Sequence, residues 1–347
     1  MNDKRIIYEG YGNNFYGAAC EQIFDLDLTN VSRRIRRLST GLGAARSPIF
    51  ISDYDALYSS NIVTADRSVL NSCPRGACTR VKQPWAKKIC KKSLVLDLYP
   101  DFEIIKVNKF GNFVRRLTDT SGYHGDISLS PDKKKMVFTS TRRGDANLWI
   151  MNIDGGNLKQ ITDILGYEGG AKFSLDGKFI VFHASRPKSR TERAHYGLLL
   201  NQYHAVELRD TQIFLMNSDG TNISQLTTGN TNLWPQFISS EKILFARNSV
   251  AKKKMFNIFL INVDGSGLKQ ITADDDYTNV YPVTSHDRTK LLWSRNEAES
   301  KDMNLFLTDL HPFNSMPDSF NFFFIFELFP TNLLANALSF ITDKLFT

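Results

Sequence analysis

Catalytic signatures are missing from this sequence. It has no Gly-x-Ser-x-Gly elbow, which removes the hydrolase half of an oligopeptidase. His-Glu-x-x-His and the phosphate loop are absent too, so no zincin or nucleotide-binding motif is present. Histidine is sparse, with six scattered through 347 residues, and none pairs with an acid at a catalytic spacing. The four cysteines are Cys20, Cys73, Cys78 and Cys90. Cys73-x4-Cys78 is too loose for a zinc site and has no histidine nearby. Unpaired thiols are therefore expected, with Cys73–Cys78 or Cys78–Cys90 as the pairings if the protein is exported. The start, MNDKRIIYEG, lacks the apolar core of a signal peptide. That predicts a cytoplasmic protein as written, or an exported one whose true N-terminus lies upstream. No unit of the chain carries apolar residues every three to four positions, which excludes a helical solenoid.

What the chain does have is a repeat. NLWIMNIDGGNLKQIT (147–162) recurs as QIFLMNSDGTNISQLT (212–227) and NIFLINVDGSGLKQIT (257–272), with the Asp-Gly turn in register. Asp-Gly between apolar runs is a hairpin cue, because Gly supplies the positive φ of the turn without steric cost. Two more strand candidates precede each phrase, as in DISLS and KKMVFTS before Asn147. The unit thus has four strands, A to D. The threonine closing strand D falls at Thr118, Thr162, Thr227 and Thr272, a spacing near 44 residues broken once by an insertion. Four short strands at that period predict a β-propeller blade. The strands are apolar on consecutive residues, as suits sheets covered on both faces. Counting outwards predicts an all-β, six-bladed propeller over residues 1–310, of four-stranded antiparallel blades. The first blade lacks strand A and the last lacks strand D. A late start site, a truncated copy, or closure by the tail would each account for this.

The tail, 311–347, is Phe-rich, but its apolar stretch 321–342 contains Glu327 and Pro330. A spanning helix wants a cleaner run. An aberrant or disordered end is expected first, then a helix or strand packed on the ring, and membrane contact last.

The phrase "MNxDGxxxxxLT", with its "SPDGKxIxFxS" opening, resembles the TolB-like propeller repeat. That repeat is also found in the propeller domains of prolyl-oligopeptidase relatives. "LTDTSGYHGDISLSPDKKKMVFTSTRRGDANLWIMN" and "FHASRPK" look like an uncharacterised branch of TolB-like proteins. The likeness covers about 4–310 and is strongest from 115 to 272. Blades five and six depart from it, with Ser239-Ser240-Glu241 and His286-Asp287-Arg288 in place of Pro-Asp-Gly. The resemblance implies a six-bladed propeller used for protein contacts and transfers no catalytic residue.

In a four-stranded blade, the A–B and C–D turns lie on one rim and the B–C and D–A loops on the other. The long excursions 61–100 and 185–209 are both B–C connections, so elaboration falls on one rim, where binding residues concentrate. Charge follows that rim. The overall balance is 43 Lys+Arg against 36 Asp+Glu, or +7. Arg75, Arg80, Lys82, Lys87, Lys88, Lys91 and Lys92 crowd the first excursion, and Arg186, Arg190 and Arg193 the second. Such a rim suits an acidic protein or peptide partner. Nucleic acid is disfavoured, since Trp85 is the sole aromatic within the basic run. Ser189-x-x-Glu192 predicts a capping box and a short helix over the rim. D–A loops point at the mouth of the central channel, making Tyr123, His124, Asp126, Tyr167, Glu168, Asn232, Trp234 and Tyr277 the candidate lining residues. No cofactor is expected, although a channel Ca2+ assembled from distant acids is compatible with the sequence. The function expected is a monomeric, non-catalytic binding propeller. Its alternatives are a metal-dependent hydrolase or lactonase using Asp126, Glu168 or Asp276, and a stand-alone gating propeller of a serine peptidase.

Overall fold

The computed structural model describes residues 5–11, 20–29, 35–62, 73–249, 255–273, 276–285, 287–297, 304–310 and 326–327. Six antiparallel sheets form the blades of a propeller. Blade one holds β1 (Arg5–Tyr11), β2 (Glu21–Asp27) and β3 (Ile35–Arg37). Blade two begins with β4 (Ala45–Phe50) and β5 (Asp55–Ser60). It then leaves the sheet as α1 (Ala77–Arg80), α2 (Pro84–Lys92) and β6 (Val95–Asp97), and returns as β7 (Glu103–Asn108) and β8 (Phe113–Arg116). Blade three is β9 (His124–Leu129), β10 (Lys135–Ser140), β11 (Asn147–Asn152) and β12 (Lys159–Gln160). Blade four starts with β13 (Glu168–Phe173) and β14 (Phe179–Ala184). After an excursion as α3 (Arg190–Tyr203) and β15 (Ala205–Glu207), it closes with β16 (Gln212–Asn217) and β17 (Ser224–Gln225). Blade five is β18 (Asn232–Phe237), β19 (Lys242–Asn248), β20 (Phe256–Asn262) and β21 (Lys269–Gln270). Blade six is β22 (Tyr277–Thr284), β23 (Lys290–Glu297), β24 (Asn304–Asp309) and β25 (Phe326–Glu327).

The closing residue of strand D does a specific job. Its hydroxyl accepts the amide hydrogen at the head of strand C: Leu148 N to Thr162 Oγ1 at 2.8 Å, Ile213 N to Thr227 Oγ1 at 2.9 Å, and Ile258 N to Thr272 Oγ1 at 2.9 Å. Ser39 fills the same role toward Ile23 N at 3.0 Å. That contact fixes β1, β2 and β3 as strands B, C and D of blade one. At the other end of the ring, Phe326–Glu327 pairs with Phe306–Leu307 as the fourth strand of blade six. Of the three explanations for the short last blade, closure by the tail is the one seen. The rest of 321–342 lies outside the described residues, and no helix among the described residues is long and apolar enough to cross a membrane.

Fully apolar strands exist because each blade is sandwiched. Separate clusters fill the interfaces between successive blades: Ile23 with Tyr58, Ile104 with Phe138, Ile150 with Phe182, Ile213 with Phe245, and Leu260 with Trp293. Burying one such Phe fully contributes about 1.5–3 kcal/mol. The C–D glycine is fixed by the neighbouring blade as well as by its turn. Gly220 has φ +94, and a Cβ there would lie 2.4 Å from the carbonyl oxygen of Ile161, on strand D of the preceding blade. In blade six the A–B turn keeps its hairpin despite the altered sequence. Asp287 Oδ1 accepts from Ser285 Oγ at 2.6 Å and from Thr289 N at 2.9 Å, as Asp132 does from Ser130 and Lys134 in blade three.

Candidate functional site

The two long insertions, separated in sequence by the whole of blade three, build one structure. β6 pairs with β15 in antiparallel register, Ala205 opposite Asp97 and Glu207 opposite Val95. α3 is started by the capping box anticipated from Ser189 and Glu192: Glu192 N donates to Ser189 Oγ at 3.1 Å and Ser189 N to Glu192 Oε2 at 2.9 Å. Trp85 of α2 stacks on His195 of α3 with ring centroids 4.7 Å apart and planes 2° apart. Arg80 donates to the carbonyl of Tyr203, and Ser93 to Glu207. The cysteines correct the expectation of unpaired thiols. Cys78–Cys90 ties α1 to α2, and Cys20–Cys73 ties this subdomain to blade one. Cys78–Cys90 is one of the two pairings expected for an exported chain. Cys20–Cys73 joins residues 53 apart in sequence, which only the folding of blade one against blade two brings together.

This cap sits on the channel mouth. Leu94, Leu98, Val206 and Leu208 pack in one apolar cluster with Tyr123, Tyr167, Leu233 and Val280 from the first turns of the inner strands. Tyr123 and Tyr167 are accordingly 1% exposed. The basic residues lie on its outside. Arg75, Lys82, Lys87, Lys88, Lys91, Lys92, Arg190 and Arg193 are exposed, whereas Arg80 is half-buried. Arg186 is withdrawn as well, its guanidinium paired with Glu168. No acidic residue occurs from 73 to 96.

Beneath the cap is a chamber of about 380 Å³ along the channel axis. One backbone device repeats around it. Every inner strand carries a β-bulge. At each bulge one residue is left-handed: Ser47 (φ 55), Asp126 (φ 55), Gly170 (φ 58), Trp234 (φ 53) and Tyr281 (φ 54). All five line the chamber. The bulge turns an amide hydrogen out of the ladder, and at three of the five a polar side chain of the preceding blade captures it. Ser47 N donates to Glu9 Oε2 at 3.3 Å, Asp126 N to Ser47 Oγ at 3.0 Å, and Trp234 N to His183 Nδ1 at 3.3 Å. Left-handed backbone at a bulky residue is uncommon, and such strain clusters where a side chain must be aimed.

Of the eight residues expected at the mouth, Tyr123, Asp126, Tyr167 and Trp234 line this chamber, and the other four do not. Tyr167 donates its hydroxyl to Asp126 Oδ2 at 3.0 Å, and Trp234 meets Tyr281 in a tilted contact with centroids 4.1 Å apart. His124, Glu168 and Asn232 share one register position, two residues before the bulge, and there they face sideways. Their amides bond the preceding blade, at Phe102 O, Ala146 O and Thr211 O. His124 Nδ1 meets Ser140 Oγ at 2.9 Å, and burial holds its pKa down to about 4. Asn232 accepts from Arg247 at 3.0 Å. Tyr277 lies under the Arg295 guanidinium, 3.8 Å from its ring centroid. Asp126, Glu168 and Asp276 do not form a joint site, and no group of three or more His, Cys, Asp or Glu among the described residues converges as metal ligands.

Sequence reasoning missed Glu9, Arg46, Ser47, Gly170, Lys172, His183 and Tyr281 as lining residues. One signal was available, the Xaa-Pro steps Ser47-Pro48, Trp234-Pro235 and Tyr281-Pro282 at equivalent places in three inner strands. Burial raises the Asp126 carboxyl above the usual carboxylate range, against the Tyr167 hydrogen bond and Lys172. It lowers the Lys172 ammonium, which Asp126 partly offsets. Burial also holds His183 neutral, at a pKa of about 3.

No protein-family model matches the sequence, and no curated protein matches it. Solved structures do match in fold. The putative TolB from Agrobacterium tumefaciens aligns with a TM-score of 0.53 at 16% identity, over 88% of this chain and 85% of that one. The hydrazine synthase of Kuenenia stuttgartiensis gives 0.59 at 11% identity over 88% of this chain, and the puromycin-hydrolyzing peptidase of Mycobacterium tuberculosis 0.52 at 11% over 89%. This chain spans 43% and 44% of those two longer chains. At these identities the likeness is one of backbone, and its content is architectural: the chain is a six-bladed β-propeller with a TolB-like fold.

Proposed function

We propose that this chain is a protein-binding propeller that docks an acidic protein segment on the outer face of its cap. One observation carries the reading: the disulfide-tied α1–α2 unit is built without any acidic residue from 73 to 96 and presents Arg75, Lys82, Lys87, Lys88, Lys91 and Lys92 to solvent. None of these six forms an ion pair among the described residues. Flexible lysine-rich loops pair transiently with anything anionic, whereas cations held on a cross-linked helix keep a fixed spacing, which favours one partner geometry. Docking falls on the cap surface because the mouth tyrosines beneath it are covered. The TolB-like fold is compatible with this use, as a rigid scaffold bearing its variable elements on one rim.

The test is retention of poly-L-glutamate by the intact protein and by the K87E/K88E/K91E/K92E variant, with single-stranded DNA as a second polyanion. Wild-type binding should fall steeply with added salt, since the Debye length shrinks to roughly 10 Å at 0.1 M. The variant should bind at least about tenfold more weakly, a loss of about 1.4 kcal/mol. Equal retention of poly-L-glutamate by both proteins would refute the reading. Preferential binding of DNA would replace it with a nucleic-acid function.

A further inference from the structure

The cap accounts for the basic rim but leaves the chamber below without a role. Most polar groups there are committed. Glu9 accepts the Ser47 bulge amide, Asp126 accepts the Tyr167 hydroxyl, and Arg46 donates to Glu21. Among the described residues, Arg46 Nε makes no hydrogen bond but stands 3.9 Å from Glu9 Oε1; Lys172 and His183 also carry donors that no protein acceptor takes. Lys172 lies two residues beyond the Gly170 bulge, and its ammonium makes no hydrogen bond or ion pair among the described residues; Asp126 acts on it only through space. His183 is 2% exposed. Its Nδ1 accepts the Trp234 amide, which puts the ring proton on Nε2, and that Nε2 has no hydrogen-bond partner. Both residues line the chamber, and both belong to blade four, Lys172 on β13 and His183 on the paired β14. An imidazole N–H buried without an acceptor is costly unless one is supplied, and the half-buried Lys172 places a positive charge in the same chamber.

We propose that the chamber binds a single carboxylate attached to an apolar body, with Lys172 and His183 Nε2–H as the donors to the carboxylate. The opposite wall is apolar, formed by Ile6, Val283, Leu292, Trp293 and Leu305. The chamber, about 380 Å³, is at the small end of ligand pockets, which run from about 300 to 1,000 Å³. Val283, one of the lining residues, is 38% exposed. The lining itself selects the charge of the ligand. Glu9, Glu21 and Asp126 stand in the same chamber as Arg46 and Lys172, so a phosphate dianion would meet more repulsion there than a monoanion. Trp234 and Tyr281, in tilted contact with planes 43° apart, offer aromatic surface against which an aromatic or branched body would pack.

Such a carboxylate has two sources, a free organic acid or the C-terminus of a peptide. Titration calorimetry of the full chain with 3-phenylpropionate and with its uncharged amide tests the shared chemistry. The tripeptide Leu-Leu-Phe, with free or amidated C-terminus, separates the sources. The acid should bind at least about tenfold more tightly than its amide, the ratio expected from a charge-assisted hydrogen bond. In Lys172→Met, which keeps the stem volume, that ratio should fall toward one, and in His183→Gln it should shrink. Binding of the free tripeptide but not its amide assigns the site to a peptide end; binding of phenylpropionate alone assigns it to a free acid. Equal affinity of acid and amide, no heat from any of the four probes, or an unchanged ratio in Lys172→Met would each overturn the proposal. Should Lys172→Met fail to fold, the acid-to-amide ratio of the wild type decides by itself. The cap charge reversal leaves these residues untouched, so failure of cap docking and failure of this site are separately visible.

Discussion

Gly170 is where backbone geometry and side-chain contact can be pulled apart by mutation. It shares its left-handed conformation with Ser47, Asp126, Trp234 and Tyr281 at the equivalent bulges, so the φ of +58 by itself does not require glycine. What differs is the neighbour. A Cβ at Gly170 would lie 2.5 Å from Cε1 and 2.6 Å from Nδ1 of the buried His183 ring. Gly170→Ala should therefore carry about 1–2 kcal/mol for the left-handed backbone and about 1–3 kcal/mol more for displacing a packed ring. The second part includes the hydrogen bond that Trp234 N–H makes to His183. Gly144 supplies the control, with φ +88 and nothing within 4 Å of where a Cβ would stand, so Gly144→Ala isolates the backbone part. Equilibrium urea unfolding followed by circular dichroism should show Gly170→Ala as the more damaging of the two by about 1–3 kcal/mol. In a His183→Ala background the excess should vanish, a coupling of about 1–3 kcal/mol in a double-mutant cycle. Equal costs for the two glycine replacements, or strict additivity of Gly170→Ala with His183→Ala, would show that the ring does not hold that bulge.

Two further outcomes are expected. Thr162→Val removes the acceptor for the Leu148 amide, leaving a buried donor unsatisfied, and should cost about 1–3 kcal/mol in the same unfolding assay. Thr120→Val, on an exposed loop position, should cost much less. His124 and His183 are held neutral in the fold, at pKa values of about 4 and about 3, so the unfolded chain binds more protons below its own histidine pKa near 6.5. Stability should be at its full value above that pH and decline as pH falls toward 4, by up to about 1.4 kcal/mol per pH unit for each histidine. The raised carboxyls of Asp126 and Glu168 act with the opposite sign, protonating first in the folded state. The histidine contribution is thus read as the difference in slope between wild type and His124→Gln, and an identical slope in the two would contradict it.

The division between sequence and tertiary structure follows the range of the forces involved. Blade count, strand order, the Asp-Gly turns, the capping box at Ser189 and the rim that carries the insertions were all legible from the sequence. Each rests on local geometry or on a short period: a turn needs Gly155, a sandwiched strand needs apolar residues on both faces, and a closing threonine recurs at a near-constant step. Of the residues expected at the mouth, Tyr123, Asp126, Tyr167 and Trp234 line the chamber, and the bulge that aims the inner strands is a local feature the repeat does not display. One left-handed residue per inner strand shifts the register there, so Asp126 and Trp234 line the chamber while the amides of His124, Glu168 and Asn232 bond the preceding blade. Only the tertiary structure decided that two insertions separated by blade three pair through β6 and β15, that Cys20 reaches Cys73, and that Lys172 and His183 share a chamber. Those juxtapositions depend on how whole blades pack around the axis, and no periodicity along the chain encodes the distance between residues on different blades.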